Sequence, residues 1–453
     1  MNRKFASFIL LLFTACFSLT SCLNSDDEEY VFTHDTAITS FSLGTLTRSY
    51  HAVVDDKDTT LTASVAGSKY TFLIDQTTRQ IYNPDSLPCG TQVSAVLATI
   101  NSKNSSPIVL MNEAGDSIKS FYSSSDSIDF TKPRQFRVYN NDYSAYVTYT
   151  VTLNVHQEEA DSFKWISLAT RNVALAQLVD LKAVECNGQV YAFGTTSAGT
   201  LKIYQTAMDD GALWTEVVPE QALVANAYKS VVAFGGYIYT LSNGEVLRSA
   251  DAKHWTVVAG DASLIQLIGA SRDNLYAYSL TGISQSKDGG ETWQADALDM
   301  QQAFLPTENV CLTSLPILST KGAEHLVLTG NRSAVYNDTI GTVWTKTVDT
   351  ESSAWNYVEY NRAQGGKFPK MAQLLVERSD SGLVALGSDA KMYKCKDGGL
   401  TWQVDTLVTM PEAFQGEQGF AFFRDSKRFY WVINRQTGNV WKGRFNRDGW
   451  RKE

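Results

Sequence analysis

The second half of the sequence repeats, and this repeat restricts the possible folds more than any other feature. Six short apolar segments recur, each followed by a second short segment and then by a turn that ends in Trp. The apolar segments are 189–193, 237–239, 275–278, 325–328, 383–386 and 429–432, and the tryptophans are Trp214, Trp255, Trp293, Trp344, Trp402 and Trp450. One hairpin of this kind cannot bury its apolar face alone, so the units must stack on one another. The pattern predicts an all-β protein with a β-propeller at residues 163–453.

The length of the repeating region favours six blades. Residues 165–453 divided by six give about 48 residues per unit, a usual blade size, whereas seven units would give about 41. The second segments are predicted strands at 201–204, 245–248, 282–285, 334–336, 391–394 and 439–442. Only three residues follow Trp450, too few for an outer strand, so residues 165–168 are predicted to complete the last blade from the N-terminal side.

The turns resemble the Asp-box, or BNR repeat, of a class of β-propellers, whose pattern is Ser-x-Asp-x-Gly-x-Thr-Trp. One turn matches throughout, a second departs only at Cys395, and a third has Lys253 in place of Gly. The matching residues are Ser286, Asp288, Gly290 and Trp293 in the first, Asp397, Gly399 and Trp402 in the second, and Ser249, Asp251 and Trp255 in the third. The turns at Trp214, Trp344 and Trp450 are degenerate. A carboxylate and a hydroxyl that accept backbone N–H bonds, a Gly with positive φ and a packed Trp stabilise a hairpin, so the motif predicts a structural role.

Residues 34–157 have a different pattern, with short alternating segments separated by Asp, Ser, Asn and Gly clusters. The clearest strand covers residues 148–155, in which Tyr149 and Val151 alternate with Thr148 and Thr150. About seven such segments in a region of this length predict an immunoglobulin-like β-sandwich. A short polar linker follows at residues 157–162.

The first 21 residues have the organisation of an export signal. Arg3 and Lys4 precede the apolar run 5–17, which is too short for a membrane span. The sequence Leu-Thr-Ser-Cys at 19–22 resembles the bacterial lipobox, which implies cleavage before Cys22 and acylation of that cysteine. An ordinary signal peptide with an incidental Cys is the alternative.

Residues 22–33 form an acidic tether, because Asp-Asp-Glu-Glu stands at 26–29. This run resembles the tether that directs lipoproteins of certain Gram-negative gut anaerobes to the outer face of the outer membrane. A solvated linker is the alternative interpretation. The resemblance implies a lipid-anchored protein of the outer membrane that faces the cell exterior.

Charge and composition exclude several partners. Removal of Arg3 and Lys4 with the signal leaves 37 basic against 48 acidic residues, a net charge of −11, so nucleic acid is not an expected partner. The remaining cysteines, Cys89, Cys186, Cys311 and Cys395, contain no Cys-x-x-Cys pair. We therefore expect free thiols, no metal site and no cofactor.

An enzyme must still be considered, because Asp-box propellers include the sialidases. That resemblance implies three arginines around a carboxylate, a Tyr–Glu nucleophile pair and an Arg-Ile-Pro-like signature, and the sequence has no such signature. We therefore expect no enzymatic activity, with a sialidase-like glycoside hydrolase as the alternative.

The longest unit, between Trp344 and Trp402, contains an unusually aromatic and basic insertion. Aromatic rings stack on sugar faces while charged groups bind hydroxyls. The candidate ligand-binding residues are Trp355, Tyr357, Tyr360, Arg362 and Lys370. Packing of the insertion on a neighbouring blade is the competing interpretation.

The whole arrangement resembles Bacteroidetes-type surface lipoproteins with an immunoglobulin-like domain and an Asp-box propeller. The leading hypothesis is a non-enzymatic surface protein that binds a glycan or an outer-membrane protein through its propeller. A structural subunit of an outer-membrane complex is the other alternative to the hydrolase.

Overall fold

The structure is a computed structural model that describes residues 35–54, 57–349, 353–360 and 365–450. The chain divides into two compact units, Met1–Glu159 and Ala160–Glu453, called the N-terminal unit and the propeller unit below. The predicted signal, Cys22 and the acidic tether lie outside the described residues. Within the described part of the chain, no helix has the length and apolar character needed to cross a bilayer.

The described part of the N-terminal unit is built from strands. They are β1 (Ile38–Leu43), β2 (Thr45–Val54), β3 (Lys57–Ala66), β4 (Leu73–Asp75), β5 (Gln80–Tyr82), β6 (Val96–Ser102), β7 (Ile108–Met111), β8 (Ile118–Phe121), β9 (Ser127–Ile128), β10 (Arg134–Tyr139) and β11 (Tyr146–Thr152). Short 3-10 helices lie at Gly67–Lys69 and Lys103–Ser105. The sheet orders are β4-β5-β11-β10-β7-β8, β1-β6-β9 and β2-β3.

The core of the N-terminal unit lies against one face of its six-stranded sheet. Phe136 and Val138 of β10 and Tyr149 and Val151 of β11 are completely buried, as the alternation in β11 predicts. Strand β5 pairs in parallel with β11, with Ile81 opposite Val151. The immunoglobulin-like topology remains a prediction.

The propeller unit consists of four-stranded antiparallel sheets. Its strands are β12 (Phe163–Ala169), β13 (Leu178–Cys186), β14 (Gln189–Thr196), β15 (Leu201–Ala207), β16 (Thr215–Val217), β17 (Val232–Phe234), β18 (Tyr237–Ser242), β19 (Glu245–Ser249), β20 (Thr256–Gly260), β21 (Leu264–Ala270), β22 (Leu275–Ser279), β23 (Gly282–Ser286), β24 (Gln294–Ala295), β25 (Glu308–Pro316), β26 (Glu324–Asn331), β27 (Thr342–Val348), β28 (Asn356–Tyr357), β29 (Leu374–Ser379), β30 (Gly382–Gly387), β31 (Lys391–Cys395), β32 (Gln403–Thr409), β33 (Phe420–Arg424), β34 (Tyr430–Asn434) and β35 (Val440–Phe445). The helices α1 (Val173–Ala176) and α2 (Asn446–Trp450) are short, and 3-10 helices lie at Ala225–Ser230, Gln302–Phe304, Ala334–Tyr336 and Gly416–Gln418.

These strands form six sheets in the described part of the unit, in the orders β13-β14-β15-β16, β17-β18-β19-β20, β21-β22-β23-β24, β25-β26-β27-β28, β29-β30-β31-β32 and β12-β35-β34-β33. The innermost strands β13, β17, β21, β25, β29 and β33 each contact the next, and β33 contacts β13. This closed circuit confirms the all-β propeller predicted from the repeat.

The two ends of the propeller unit meet in one sheet. Strand β12 pairs antiparallel with β35, with Trp165 opposite Gly443 and Ser167 opposite Trp441. The outermost strand of the last sheet therefore comes from the beginning of the unit, as the sequence predicts. Such pairing ties the ring shut without a covalent bond.

The turn at 286–293 shows the local chemistry that the repeat encodes. The amide of Gly290 donates to Oγ of Ser286 at 2.8 Å, and the amide of Thr292 donates to Oδ1 of Asp288 at 2.9 Å. Hydrogen bonds from Thr292 and Ser286 lower the pKa of Asp288 to about 2. The Trp293 indole donates to the carbonyl of Gly290 at 3.0 Å.

The other two matching turns repeat this arrangement with different atoms. Sγ of Cys395 takes the place of the hydroxyl and accepts from the amide of Gly399 at 3.1 Å, while the Trp402 indole donates to the Gly399 carbonyl at 3.0 Å. In the third turn Ala252, with φ +57°, takes the place of the glycine, rather than Lys253 as the sequence predicts. Its carbonyl accepts from the Trp255 indole at 2.8 Å. There Ser249 and two backbone amides donate to Asp251.

The sheet that contains β26 and β27 departs from the prediction. Residues 334–336 form a 3-10 helix rather than the second strand, and that strand is β27 at Thr342–Val348. Trp344 therefore lies inside a strand rather than at the end of a turn. Its indole is buried and donates to the carbonyl of Phe304 at 3.0 Å. The structure also places Trp450 in α2 rather than after a hairpin turn.

The cysteines Cys89, Cys186, Cys311 and Cys395 are free. Cys186 and Cys395 are buried, and burial raises the pKa of each thiol to about 11. Such thiols are poor nucleophiles at neutral pH.

Candidate functional site

Trp355 belongs to the interior of the propeller unit rather than to a binding surface. Its side chain is 0% exposed, and its ring meets that of Tyr276 edge to face at 5.9 Å between centroids. The indole donates to Asp296 at 3.0 Å, and Asp296 forms an ion pair of 2.6 Å with Lys346. The prediction that Trp355 stacks on a ligand is wrong, because the ring fills a buried site whose polar edge is already satisfied.

Tyr357 and Tyr360 also contribute to packing. Tyr357 meets Phe304 at 5.1 Å and Trp344 at 5.5 Å between ring centroids. Tyr360 donates to the carbonyl of Gly399 in the next sheet at 3.2 Å, and burial raises the pKa of its phenol.

The remaining candidates in the insertion are Lys370 and Arg362. Lys370 donates to the carbonyl of Asp338 at 2.9 Å. Arg362 lies outside the described residues. The described part of the insertion therefore packs against neighbouring elements, which is the competing interpretation of its aromatic composition.

One cavity of the propeller unit is the channel that its innermost strands surround. Its volume is about 540 Å³, and all six innermost strands β13, β17, β21, β25, β29 and β33 contribute to its wall. A volume of this size falls in the range of small-ligand sites, which is roughly 300–1,000 Å³. The following paragraphs refer to this cavity as the channel.

Lys182 of β13 and Glu377 of β29 are half-buried charged residues of the channel wall. Burial lowers the pKa of Lys182 and raises that of Glu377 to about 7, against the opposing influence of Arg378 and Arg424. The ammonium group of Lys182 reaches the carbonyl of Lys229 at 3.4 Å. Among the described residues neither Lys182 nor Glu377 has an ion-pair partner within 4 Å.

Cys311 of β25 lies in the same wall. Burial raises the pKa of its thiol to about 11, and its sulfur accepts from the amide of Val376 at 3.5 Å. The thiol is therefore protonated at neutral pH and offers the channel a small, weakly polar surface.

Side-chain hydrogen bonds link neighbouring sheets around one mouth of the channel. Gln373 exchanges two bonds with the backbone of Phe420, at 2.7 and 3.0 Å. Asn309 donates to the carbonyl of Ala372 at 3.0 Å, and Gln266 donates to that of Lys229 at 3.3 Å. These bonds hold the mouth in a fixed shape before any ligand arrives.

Arg435 and Asp180 complete this mouth between the last sheet and the first. Their side chains are 2.6 Å apart, and Arg435 also donates to the carbonyl of Val179. Tyr228 stands beside Asp180, and burial together with that carboxylate raises the pKa of the phenol to about 12. The mouth therefore presents hydrogen-bonding groups of both polarities.

The channel wall contains equal numbers of acidic and basic residues. Its charged residues are Lys182, Lys229, Arg424 and Arg435 on the basic side and Asp180, Glu185, Glu308 and Glu377 on the acidic side. Only two of these are arginines, and each already binds a carboxylate: Arg424 binds Asp380 and Arg435 binds Asp180, both at 2.6 Å. The three-arginine arrangement of a sialidase is not found in the described wall of the channel.

Metal binding has no candidate site in the described ranges, since no three His, Cys, Asp or Glu side chains there come together as ligands.

The sequence patterns missed the channel residues. Lys182 and Glu377 are charged residues inside otherwise apolar strands, which is a usable signal. It has meaning only once β13 and β29 are recognised as the innermost strands of their sheets. The repeat pattern identified the second strand of all six described sheets and the third strand of five of them instead.

Two family matches cover most of the chain. Residues 159–453 match the family described as "DUF6242 beta propeller domain", and residues 41–153 match "Domain of unknown function (DUF6242) N-terminal domain". The chain belongs to the DUF6242 family. The propeller of this DUF6242 protein is therefore supported by both sequence and structure. No curated protein matches the sequence.

Solved structures with a similar arrangement of strands have diverse activities. The GH93 alpha-L-arabinofuranosidase of Fusarium graminearum in complex with arabinobiose is 12% identical, with a TM-score of 0.39 over 63% of this chain and 98% of that chain. The SapL1 lectin in complex with alpha methyl fucoside is 15% identical, with a TM-score of 0.35 over 57% and 90%. The N-terminal domain of Nup159 is 11% identical, with a TM-score of 0.31 over 63% and 96%. Similarity at this level carries no argument about what the DUF6242 protein binds.

Proposed function

We propose that this protein is a lipid-anchored protein of the cell surface whose six-bladed propeller binds a glycan in the channel, without cleaving it. The observation that carries the proposal is the 540 Å³ channel to which all six innermost strands contribute. A ligand in this position contacts every sheet at once, so a small molecule can gain many contacts.

The polar groups of the mouth favour a ligand rich in hydroxyl groups. Gln266 and Asn309 use their amide N–H groups to bind neighbouring sheets, which leaves their carbonyl oxygens as acceptors. A hydroxyl both donates and accepts, so it can satisfy such oxygens as well as donors nearby. The equal number of acidic and basic residues in the wall disfavours a highly charged ligand. These properties favour a neutral oligosaccharide.

The fixed shape of the mouth supports binding rather than a large closing movement. Hydrogen bonds between neighbouring sheets already order Gln373, Asn309 and Gln266. A preformed site loses little conformational entropy when the ligand enters.

An array of neutral and acidic oligosaccharides, probed with soluble protein that lacks only residues 1–22, tests this proposal. We expect binding to a neutral oligosaccharide and a loss of about tenfold or more in affinity for Lys182→Met and Glu377→Gln. Lys287→Met is the matched control, because Lys287 is exposed in the turn at 286–293. Circular dichroism and thermal melting show whether each variant is folded.

Three other results would contradict the proposal. The absence of binding to every oligosaccharide would direct the search to a protein partner or to an outer-membrane complex. Equal affinity of the Lys182, Glu377 and Lys287 variants would place the site outside the channel. Release of a shortened sugar from the bound oligosaccharide would establish the glycoside hydrolase alternative.

The proposed location is tested separately from binding. Cys22 is proposed to be acylated, and the acyl chains would anchor the protein by burying CH₂ groups at about 0.8 kcal/mol each. We expect wild-type protein in the membrane fraction of its native host and accessible to added protease on intact cells. Cys22→Ala should abolish the membrane association, and recovery of both proteins in the same fraction would contradict the lipid anchor.

A further inference from the structure

One face of the six-stranded sheet in the N-terminal unit carries exposed aromatic residues, although Val109 of β7 on the same face is buried. The opposite face packs into the core through Phe136, Tyr149 and Val151. An antiparallel sheet with one solvated face normally has polar residues there. The aromatic residues on the solvated face therefore require an explanation.

The strand register places these residues together. Tyr139 of β10 pairs with Tyr146 of β11, and Tyr143 lies in the turn between them. On the other side, Arg137 of β10 pairs with Val109, which in turn pairs with Phe121 of the edge strand β8. Paired residues share a face of the sheet. The outer face is defined here as Phe121, Arg137, Tyr139, Tyr143 and Tyr146.

The rings of the outer face contact one another but remain accessible. The centroid of Tyr139 lies 5.8 Å from that of Tyr143 and 5.4 Å from that of Tyr146. Tyr143 is 56% exposed, Tyr146 52% and Phe121 68%. These are large values for aromatic side chains that already pack on one another.

The turn holds Tyr143 in a fixed position. Asn140 is buried and accepts from the amide of Ala145 at 3.0 Å, while its own amide group donates to Ser144 at 2.9 Å. Tyr143 itself has φ +57°, a left-handed conformation that is uncommon for a bulky residue. The ring is therefore presented by an ordered hairpin rather than by a loose loop.

Arg137 supplies the charge of the outer face. Its guanidinium carbon lies 4.0 Å from the centre of the Tyr146 ring, and Nη1 donates to the hydroxyl of Tyr139 at 3.4 Å. Its Nε is buried without a hydrogen-bond partner, and no carboxylate within 4 Å pairs with Arg137 in the described part of the chain. The cation is thus oriented by an aromatic ring, and its Nη2 group makes no hydrogen bond to the described residues.

We propose that the outer face is a second carbohydrate site, at which sugar rings stack on Tyr143 and Tyr146 while Arg137 donates to sugar oxygens. Flat, rigid aromatic faces bind the apolar faces of sugars at low conformational cost, and an adjacent guanidinium group donates to hydroxyl or carboxylate oxygens. The site is independent of the channel, because it is built wholly from residues of the N-terminal unit.

The composition of the outer face favours a sugar over a second copy of the chain. Tyrosine hydroxyls, the guanidinium group of Arg137 and Thr148, its partner on β11, interrupt the apolar area. A stable protein interface buries about 800 Å² of surface on each partner. An alternation of aromatic rings and hydrogen-bonding groups suits an oligosaccharide better than a second copy of the chain.

The test uses the same soluble protein and oligosaccharide array as above, with Tyr143→Ala and Tyr146→Ala combined. We expect this double variant to lose about tenfold or more in affinity for one set of oligosaccharides. Tyr237→Ala is the matched control, because Tyr237 is an exposed tyrosine of the propeller unit. The Lys182→Met variant, measured in parallel, should retain binding at the outer face, so failure at one site is distinguishable from failure at the other.

Unchanged affinity of the double variant for every bound oligosaccharide would overturn the proposal. A second overturning result would come from analytical ultracentrifugation: a wild-type dimer that the double variant converts to a monomer, with no change in sugar binding, would assign the outer face to self-association. Arg137→Lys separates stacking from hydrogen bonding, because it keeps the charge but removes the planar donor group. We expect it to weaken binding by less than the double variant, and equal binding of Arg137→Lys and the double variant to all sugars would contradict the assigned roles.

Discussion

The edges of the sheets are arranged differently in the propeller unit and in the N-terminal unit. In the propeller unit the innermost edges meet in a closed circuit, and the two ends of the unit share the sheet of β12 and β35. In the N-terminal unit the six-stranded sheet is open and ends in β4 and β8. Closure directs polar groups to an enclosed axis, whereas the open sheet leaves part of one face in solvent. The same class of ligand could therefore be bound in one unit by a channel and in the other by a surface.

Loss of ring closure should have the largest effect. Deletion of residues 160–169 removes β12, unpairs one edge of β35 and exposes Phe445 and Tyr430, which pack against Phe163. We expect the cooperative thermal transition of the propeller unit to disappear while that of the N-terminal unit persists, as measured by calorimetry. Ile166→Ser in the same strand is the control, since Ile166 is 48% exposed and should be tolerated. An unchanged transition after the deletion would show that closure does not stabilise the ring.

A buried ion pair should come next in size. Lys346 and Asp296 have side chains only 4% and 3% exposed, so Lys346→Ala leaves a buried carboxylate without its cation. We expect a loss of about 3–5 kcal/mol in the free energy of unfolding by urea. Lys202→Ala breaks the exposed pair with Glu216 and should cost much less than Lys346→Ala. Equal losses would mean that Asp296 gains water or another partner in the variant.

Titration of the channel should produce a smaller effect whose sign is defined. The pKa of Glu377 is raised to about 7 by burial, so the folded protein favours the neutral acid. This contribution to stability is fully present below the unfolded pKa of about 4.3 and is lost as the pH rises through about 7. We expect Glu377→Gln to gain thermal stability relative to wild type between pH 4.5 and pH 8, as measured by differential scanning fluorimetry. A difference in melting temperature between the two proteins that is the same at every pH would indicate a solvated carboxylate.

Substitutions on the outer face should change stability least. Phe121→Thr and Tyr146→Thr remove rings that are mostly in solvent, so each should alter the free energy of unfolding by no more than about 0.5 kcal/mol. Urea denaturation of the two variants provides the measurement. A large loss would show that the rings hold the open sheet together, and their exposure would then need no functional reason. In that case the outer face would have a structural role, whereas the channel would have a ligand-binding role.

The sequence by itself determined the features that depend on short-range chemistry. The turn at 286–293 contains its own acceptors, its own positive-φ glycine and its own Trp within eight residues, so it could be recognised without knowledge of the fold. The alternation in β11 likewise predicted which side chains enter the core. The repetition of these local patterns was sufficient to predict a propeller and the pairing of its two ends.

The tertiary structure alone decided which aromatic residues face solvent. Trp355 is buried because Asp296, 59 residues away, accepts from its indole, and Tyr360 is held by a turn 39 residues away. Tyr143 and Tyr146 remain more than half exposed. The channel residues Lys182 and Glu377 could not be recognised from the sequence for the same reason, because a strand becomes innermost only when all the sheets assemble. Burial depends on what distant segments place against a residue, and a local pattern does not contain that information.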